Sequence, residues 1–322
     1  MSDAWRDLST KEPLGLLTLL GLPGVGVRTV KLVVDRLDVL GAVHGGGALP
    51  AGVSPAAARS LRDADAVVAA YARAVAILAK AEESGTRLVT VYEESYPRLL
   101  GSIPDPPPVL FVKGTLPVDG TKCVAVIGTR KPTEWGREQT RSFVREVASK
   151  GWTVVSGLAL GIDTEAQEAA VAAGAPTVAV LGGGLDRVSP AQNRALAESI
   201  PSSGGALVSE QPFEVSASKA TLVQRNRITS GLSSAVVLIE SALTSGSMQT
   251  VRFAVVQGRQ VFAAVPEASH PTPGALTRLT TLSGAELATV IKATGEYERK
   301  LREEFRTKPV ALPLRSFASA GA

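Results

Sequence analysis

Six short apolar runs separated by helical stretches constrain this chain more than anything else in it. They are Val124 to Ile127, Thr153 to Ser156, Thr177 to Leu181, Ala206 to Ser209, Val236 to Ile239 and Val261 to Val265. Runs this short and apolar throughout read as strands buried on both faces, the pattern of a mostly parallel sheet. Between them, helical patterns begin near Glu134, Asp163, Ala191, Leu222 and Gly246. Strict alternation of this kind predicts an α/β fold, a doubly wound and mostly parallel sheet of about six strands with helices on both faces.

The flanking segments read differently. From Leu14 to about Lys80 the apolar spacing is helical, with breaks at Gly41 to Pro50 and at Ser54-Pro55, where Ser54 can cap a helix that Pro55 begins. Within this stretch Leu20-Gly21-Leu22-Pro23-Gly24-Val25-Gly26 is similar to a helix-hairpin-helix turn. Such a turn either holds a phosphate on its N–H groups or simply packs two helices together. Two β-like runs, Leu88 to Tyr92 and Val109 to Val112, flank Pro104-Asp105-Pro106-Pro107-Pro108 and predict an ordered connector that adds edge strands to the sheet. The expected organisation is a small all-α domain over 1–84, the α/β domain over 85–273, and one further helix with a polar tail over 274–322. No internal repeat is visible.

Composition excludes several classes. The single cysteine, Cys123, cannot form an internal disulfide, and His44 and His270 are too few to complete a zinc site with it. The start of the chain lacks a basic, apolar signal sequence, and the longest apolar stretch, Ala169 to Leu185, is interrupted by Gly174, Pro176 and Gly182 to Gly184. A soluble cytoplasmic protein without a membrane partner is expected. With a net charge of only +4, a polyanion would have to meet a local cluster rather than a basic coat. With 3 Trp, 4 Tyr and 7 Phe in 322 residues, recognition of a nucleic acid would rest on its backbone more than on base stacking.

Ligands of open parallel sheets sit at the carboxyl ends of the strands, and the residues there are small, polar or basic. Gly128-Thr129-Arg130 follows the first run, Ser156-Gly157 and then Gly161 the second, and Gly182-Gly183 the third. Glycine lets the backbone approach an anion, and the next helix offers unpaired N–H groups. Lys219 and Arg225-Asn226-Arg227 precede the fifth run; Ser245-Gly246-Ser247 follows it at a helix start. Guanidinium groups match phosphate geometry, and hydroxyls with N–H groups form an anion cradle. No G-x-G-x-x-G follows the first run and no Walker lysine motif occurs, which disfavours dinucleotide and P-loop chemistry, so no cofactor is expected.

Together the blocks Val124 to Arg130, Ser156-Gly157-Leu158-Ala159-x-Gly161-Ile162-Asp163, Val180 to Asp186, Ser209-Glu210-x-Pro212, Arg225-Asn226-Arg227-Ile228-x-x-Gly231-Leu232-Ser233 and Ser245-Gly246-Ser247 resemble the DNA-processing protein A (DprA/Smf) family. Upstream, Ser95-Tyr96-Pro97-x-Leu99 and Asp105 to Gly114 extend the resemblance, which runs from about Leu14 to Pro266. It implies an extended Rossmann-like domain that binds single-stranded DNA in a basic pocket, self-associates as a homodimer, and helps load a RecA-type recombinase during natural transformation. Carried over by position, Gly128, Arg130, Arg225, Asn226 and Arg227 would line the pocket, with Lys219 beside them. The chain departs from the family pattern at Gln167, Ser189, Leu222-Val223 and Glu267.

Two other classes compete. A nucleotide hydrolase of the same superfamily would carry a catalytic glutamate after its glycine-rich turn, but Thr250 is followed by Val251, Arg252 and Phe253. A nucleotide sensor with a diverged pocket is the remaining alternative. The leading expectation is a DNA-binding protein and not an enzyme.

Overall fold

Residues 5–38, 40–43, 47–265, 274–290 and 292–314 are described in the computed structural model of the chain. The N-terminal unit holds α1 (Pro13–Leu20), α2 (Val27–Val34), α3 (Pro55–Arg62) and α4 (Ala64–Glu83). Proline opens α1 and α3, where its missing N–H costs nothing. Ser54 Oγ accepts the Ala57 N–H at 3.2 Å, and Asp63 caps α4 through the N–H groups of Asp65 and Ala66. Gly24, at φ +75°, turns the chain between α1 and α2, so that Leu22 and Val25 join Leu16, Leu19, Val30, Val33 and Leu61 in a core around Trp5.

The connector forms β1 (Arg87–Thr90), α5 (Arg98–Gly101) and β2 (Val109–Gly114). Its strands pair antiparallel with each other, and β2 lies antiparallel on the parallel sheet. The buried Tyr96 hydroxyl donates to Pro107 O at 2.9 Å and pins the proline-rich stretch. The edge strands expected there are present.

The alternating region gives β3 (Cys123–Ile127), α6 (Glu134–Ser149), β4 (Thr153–Ser156), α7 (Ile162–Ala172), β5 (Thr177–Val180), α8 (Arg194–Ser202), β6 (Ala206–Ser209), α9 (Lys219–Gly231), β7 (Ala235–Leu238), α10 (Ser247–Val256) and β8 (Gln260–Ala264). All six strands run parallel to their neighbours within this set. Side chains alternate across β3: Val124 and Val126 pack with Phe143, Val144 and Ile162 of α6 and α7, while Ala125 and Ile127 meet Val251, Ala254 and Val255 of α10. Burial on both faces, worth about 1.5–3 kcal/mol for each such valine or isoleucine, explains why the strands read as continuous apolar runs.

Beyond residue 273 the chain carries more structure than one helix and a polar tail. It forms α11 (Gly274–Thr281), α12 (Gly284–Val290), α13 (Gly295–Glu304) and β9 (Leu312–Leu314), and β9 pairs parallel with β8. Each helix adds only two or so apolar side chains to the core shared with α10 and the sheet, such as Leu276 and Leu279, Leu287 and Ala288, or Tyr297 and Leu301. So thin a stripe among charged residues reads as polar, and Pro313 disguises the strand. Among the described residues the sheet thus has nine strands, in the order β1-β2-β6-β5-β4-β3-β7-β8-β9. Among the described residues, no helix is long and apolar enough to cross a membrane, and no group of three or more His, Cys, Asp or Glu could hold a metal ion.

Candidate functional site

Strand order reverses at β3: β4, β5 and β6 follow on one side of it, whereas β7 and β8 lie on the other. Loops leaving the carboxyl ends of β3 and β7 therefore part in opposite directions and open a crevice. A cleft of about 710 Å³ occupies this position, lined by Gly128 to Lys131 after β3, by Ser245 to Ser247 and Thr250 after β7, and by the α9 face carrying Lys219, Leu222, Val223, Arg225 and Asn226.

The loop after β3 is built to one shape. A Cβ on Gly128 would lie 2.5 Å from Ile162 Cγ1 and 2.9 Å from Glu240 O, so only glycine fits. Thr129 N donates to Glu240 O at 2.7 Å, Ile162 N donates to Thr129 O at 3.1 Å, and Ser247 Oγ donates to Gly128 O at 2.6 Å. Glu240, itself buried, accepts the Thr133 N–H at 3.0 Å and closes the loop where α6 begins. With its backbone tied at both ends, the loop holds the exposed side chains of Arg130 and Lys131 at the cleft mouth.

Arg225 forms the floor. Its guanidinium lies flat on Gly157, where a Cβ would sit 1.5 Å from Nη1, and that nitrogen donates to Val180 O at 3.0 Å. Asp163, whose carboxylate accepts the N–H groups of Gly157 and Ala159, lies 3.9 Å from Nη2. Burial pulls the Arg225 pKa down despite Asp163, and burial pushes the Asp163 carboxyl up despite Arg225. Arginine nevertheless stays charged, and its buried Nε has no hydrogen-bond partner among the described residues. The Thr229 hydroxyl, also at the cleft, is likewise unpartnered.

The electrostatics are one-sided. Among the described residues, four cations line the cleft, Arg130, Lys131, Lys219 and Arg225, against the single carboxylate of Asp163. Elsewhere arginines and lysines commonly pair with acids, as Arg137 and Arg141 do with Glu165. The side chains of Arg130, Lys131 and Lys219 have no such pair among the described residues. Nor does α9 or α10 carry an acid in its first turn, although α6 and α7 do. Lys219 in the first turn of α9 opposes the helix dipole by about 0.3–1 kcal/mol, an arrangement that an incoming anion would relieve.

Of the residues singled out from sequence, Gly128, Thr129, Arg130, Lys219, Arg225, Asn226, Ser245, Gly246 and Ser247 come together at this cleft. Ser156, Gly157 and Gly161 lie beneath it: Ser156 Oγ donates to Val126 O at 2.7 Å, and Gly161 backs the Thr129-Arg130 loop. Gly182 and Gly183 support the loop that leads into α9. Arg227 does not line the cleft. One helical step from Asn226 turns it into the interior, where Nη1 and Nη2 donate to Glu210 at 3.1 and 2.6 Å and Nε donates to Asp105 at 2.9 Å. The expectation that it lines the pocket is corrected accordingly. Lys131 was missed, although a second cation directly after Arg130 was a usable signal. Among the departures, Leu222 and Val223 line the cleft, Gln167 accepts the Leu158 N–H beneath it, Ser189 lies in a neighbouring cleft, and Glu267 falls outside the described residues.

Fold and cleft define a Rossmann-like α/β protein with a cation-lined cleft at its topological switch point. The chain belongs to the DNA recombination-mediator protein A family, whose sequence profile matches residues 87–297. It is 38% identical over 206 residues to the DNA processing protein DprA of Bacillus subtilis, covering 63% of this chain and 69% of that one. It is 42% identical over 182 residues to the protein Smf of Escherichia coli, covering 56% of this chain and about half, 49%, of that one. Among solved structures, DNA processing protein A from Streptococcus pneumoniae matches with a TM-score of 0.68 at 26% identity, over 93% of this chain and 99% of that one. The Helicobacter pylori protein, described for its single-stranded DNA binding mode, matches with a TM-score of 0.53 at 28% identity, over 69% of this chain and 97% of that one.

Proposed function

We propose that the switch-point cleft binds the phosphate backbone of single-stranded DNA, and that the chain serves as a recombination mediator that protects incoming strands and hands them to a RecA-type recombinase. The observation that carries this reading is the unpaired cationic cluster of Arg130, Lys131 and Lys219 above the buried Arg225. Duplex DNA is read by a helix or ribbon that protrudes into a groove, and a concave cleft offers no such element. A single strand can enter it. The family and the Helicobacter relative support the same ligand. Natural transformation, a cytoplasmic setting, a homodimer and the absence of catalysis belong to this reading.

Fluorescent poly-dT, titrated with duplex DNA and free nucleotides as competitors, tests it. Single strands are expected to bind more tightly than duplex, and Arg130→Ala and Lys219→Ala each to lower the salt slope by roughly 0.7, one phosphate contact. Equal affinity for duplex, or displacement of the strand by free nucleotide, would overturn it. For the homodimer, light scattering at micromolar concentration is expected to give twice the 33.3 kDa chain mass. A single species at the chain mass would refute self-association.

A further inference from the structure

A second cleft, of about 530 Å³, opens at the carboxyl end of β5. Asp186, Arg187, Ser189 and Arg194 line one side and Ser216 and Ala217 the other. Arg187 and Arg194 are exposed, and neither guanidinium makes a hydrogen bond or close ion pair among the described residues, although, after the hydrogen-bonded Lys80, Arg187 is near enough to Glu214 to help hold that carboxyl below its usual range. The one acid, Asp186, is already committed: it accepts the Glu214 N–H through both oxygens, at 3.0 and 3.1 Å, and lies 3.4 Å from Lys80 Nζ. Lys80 also pairs with Glu214 at 2.8 Å, so that Lys80, Arg187 and Arg194 together outnumber the two carboxylates beside this cleft.

This cleft and the switch-point cleft share a wall. Ser216 and Ala217 face one, Lys219 and Leu222 face the other, and only Ser218 separates them in sequence. That wall is held in place from below. A Cβ on Gly182 would lie 2.9 Å from Leu222 Cδ2, one on Gly183 2.8 Å from Val215 O, and one on Gly184 2.5 Å from Pro212 O. The glycine triplet therefore seats the whole segment from Pro212 to Leu222. Beneath the opposite wall, Asn193 Nδ2 donates to Leu158 O and to Thr164 Oγ1, both at 2.8 Å, so the turn that carries Arg194 is anchored to the switch-point side of the sheet.

We propose that Arg187 and Arg194 form a second phosphate subsite for the same nucleic-acid strand, which leaves the switch-point cleft over the start of α9 and continues across the carboxyl end of β5. The proposal rests on the reading of the switch-point cleft as a single-strand site. Recognition is by charge and guanidinium geometry, so it is indifferent to base sequence.

Oligothymidylates of roughly 4 to 16 nucleotides, the range of single-strand site sizes, are titrated at several salt concentrations. For the wild type, affinity is expected to rise with length and the salt slope to steepen once the strand spans both clefts. Arg187→Ala/Arg194→Ala should bind the shortest oligomer like the wild type, lack that gain, and lose about 1.4 from the salt slope on the longest. Arg187→Lys/Arg194→Lys, which keeps the charge, should retain the slope. Arg130→Ala should weaken binding at every length. Because both arginines are exposed and neither makes a hydrogen bond or close ion pair among the described residues, the alanine variant should melt with the wild type. Wild-type length dependence and salt slope in the alanine variant would overturn the subsite while leaving the switch-point reading intact. A wild type that binds no oligomer would overturn both.

Discussion

Arg227→Ala is expected to remove about 3–5 kcal/mol of folding stability and to leave DNA affinity of the folded protein nearly unchanged. The side chain is 1% exposed, and its three donors reach Glu210, after β6, and Asp105, in the proline-rich connector. Truncation would strand the Glu210 carboxylate, itself only 9% exposed, without a counter-charge. A buried charge left that way costs far more than the pair contributes when intact. Lysine is not expected to rescue it, since a point charge cannot make two parallel bonds to Glu210 and a third to Asp105. Urea unfolding with a fluorescence readout measures the loss. A well-folded variant that had instead lost poly-dT binding would return Arg227 to the interface.

Gly161→Ala is the second change expected to act strongly, and it should damage both fold and site. Gly161 has φ +87° and ψ −126°, a conformation that an L side chain resists at about 1–3 kcal/mol. An added Cβ would also lie 2.4 Å from Thr129 O and 2.7 Å from the Arg130 carbonyl carbon. These are backbone atoms that cannot rotate away, so overpacking adds about 1–3 kcal/mol. Relief comes only from moving the loop that presents Arg130 and Lys131. Affinity for poly-dT is therefore expected to fall at least about tenfold, equivalent to about 1.4 kcal/mol. Gly101→Ala, in α5 and away from the cleft, is the control, because its added Cβ makes only ordinary contacts with the Tyr96 ring at 3.7 and 3.9 Å. Thermal melts paired with anisotropy titrations separate the two effects. Lower stability with unaltered affinity would show that the loop carrying Arg130 takes no part in binding.

The parallel strands were legible because burial on both faces leaves a continuous apolar run: Thr153–Ser156 and Ala206–Ser209 fall where the pattern put them. The cleft was legible because doubly wound sheets place ligands at strand ends, which makes Gly128 to Arg130 and Ser245 to Ser247 neighbours even though they are far apart in sequence. What sequence could not separate was Asn226 from Arg227. Both belong to one basic motif on one helix, and the hundred-degree step between them sends one to the cleft and the other to Glu210. The partner that decides the matter, Asp105, lies 122 positions away, and no local pattern reveals it. Glu240 was passed over for the same reason, since its value lies in accepting the Thr133 N–H, 107 positions away.

The two outer strands of the sheet have a consequence for how copies of the protein can meet. β1 spans four residues and β9 three, and Pro313 in the middle of β9 has no N–H to offer a newcomer. Short, proline-blunted margins are poor templates for recruiting another chain's backbone. Copies of the protein that meet would therefore touch through helices, whose side chains fix a partner and a geometry, and would be spared the open-ended stacking that turns exposed sheet edges into fibres.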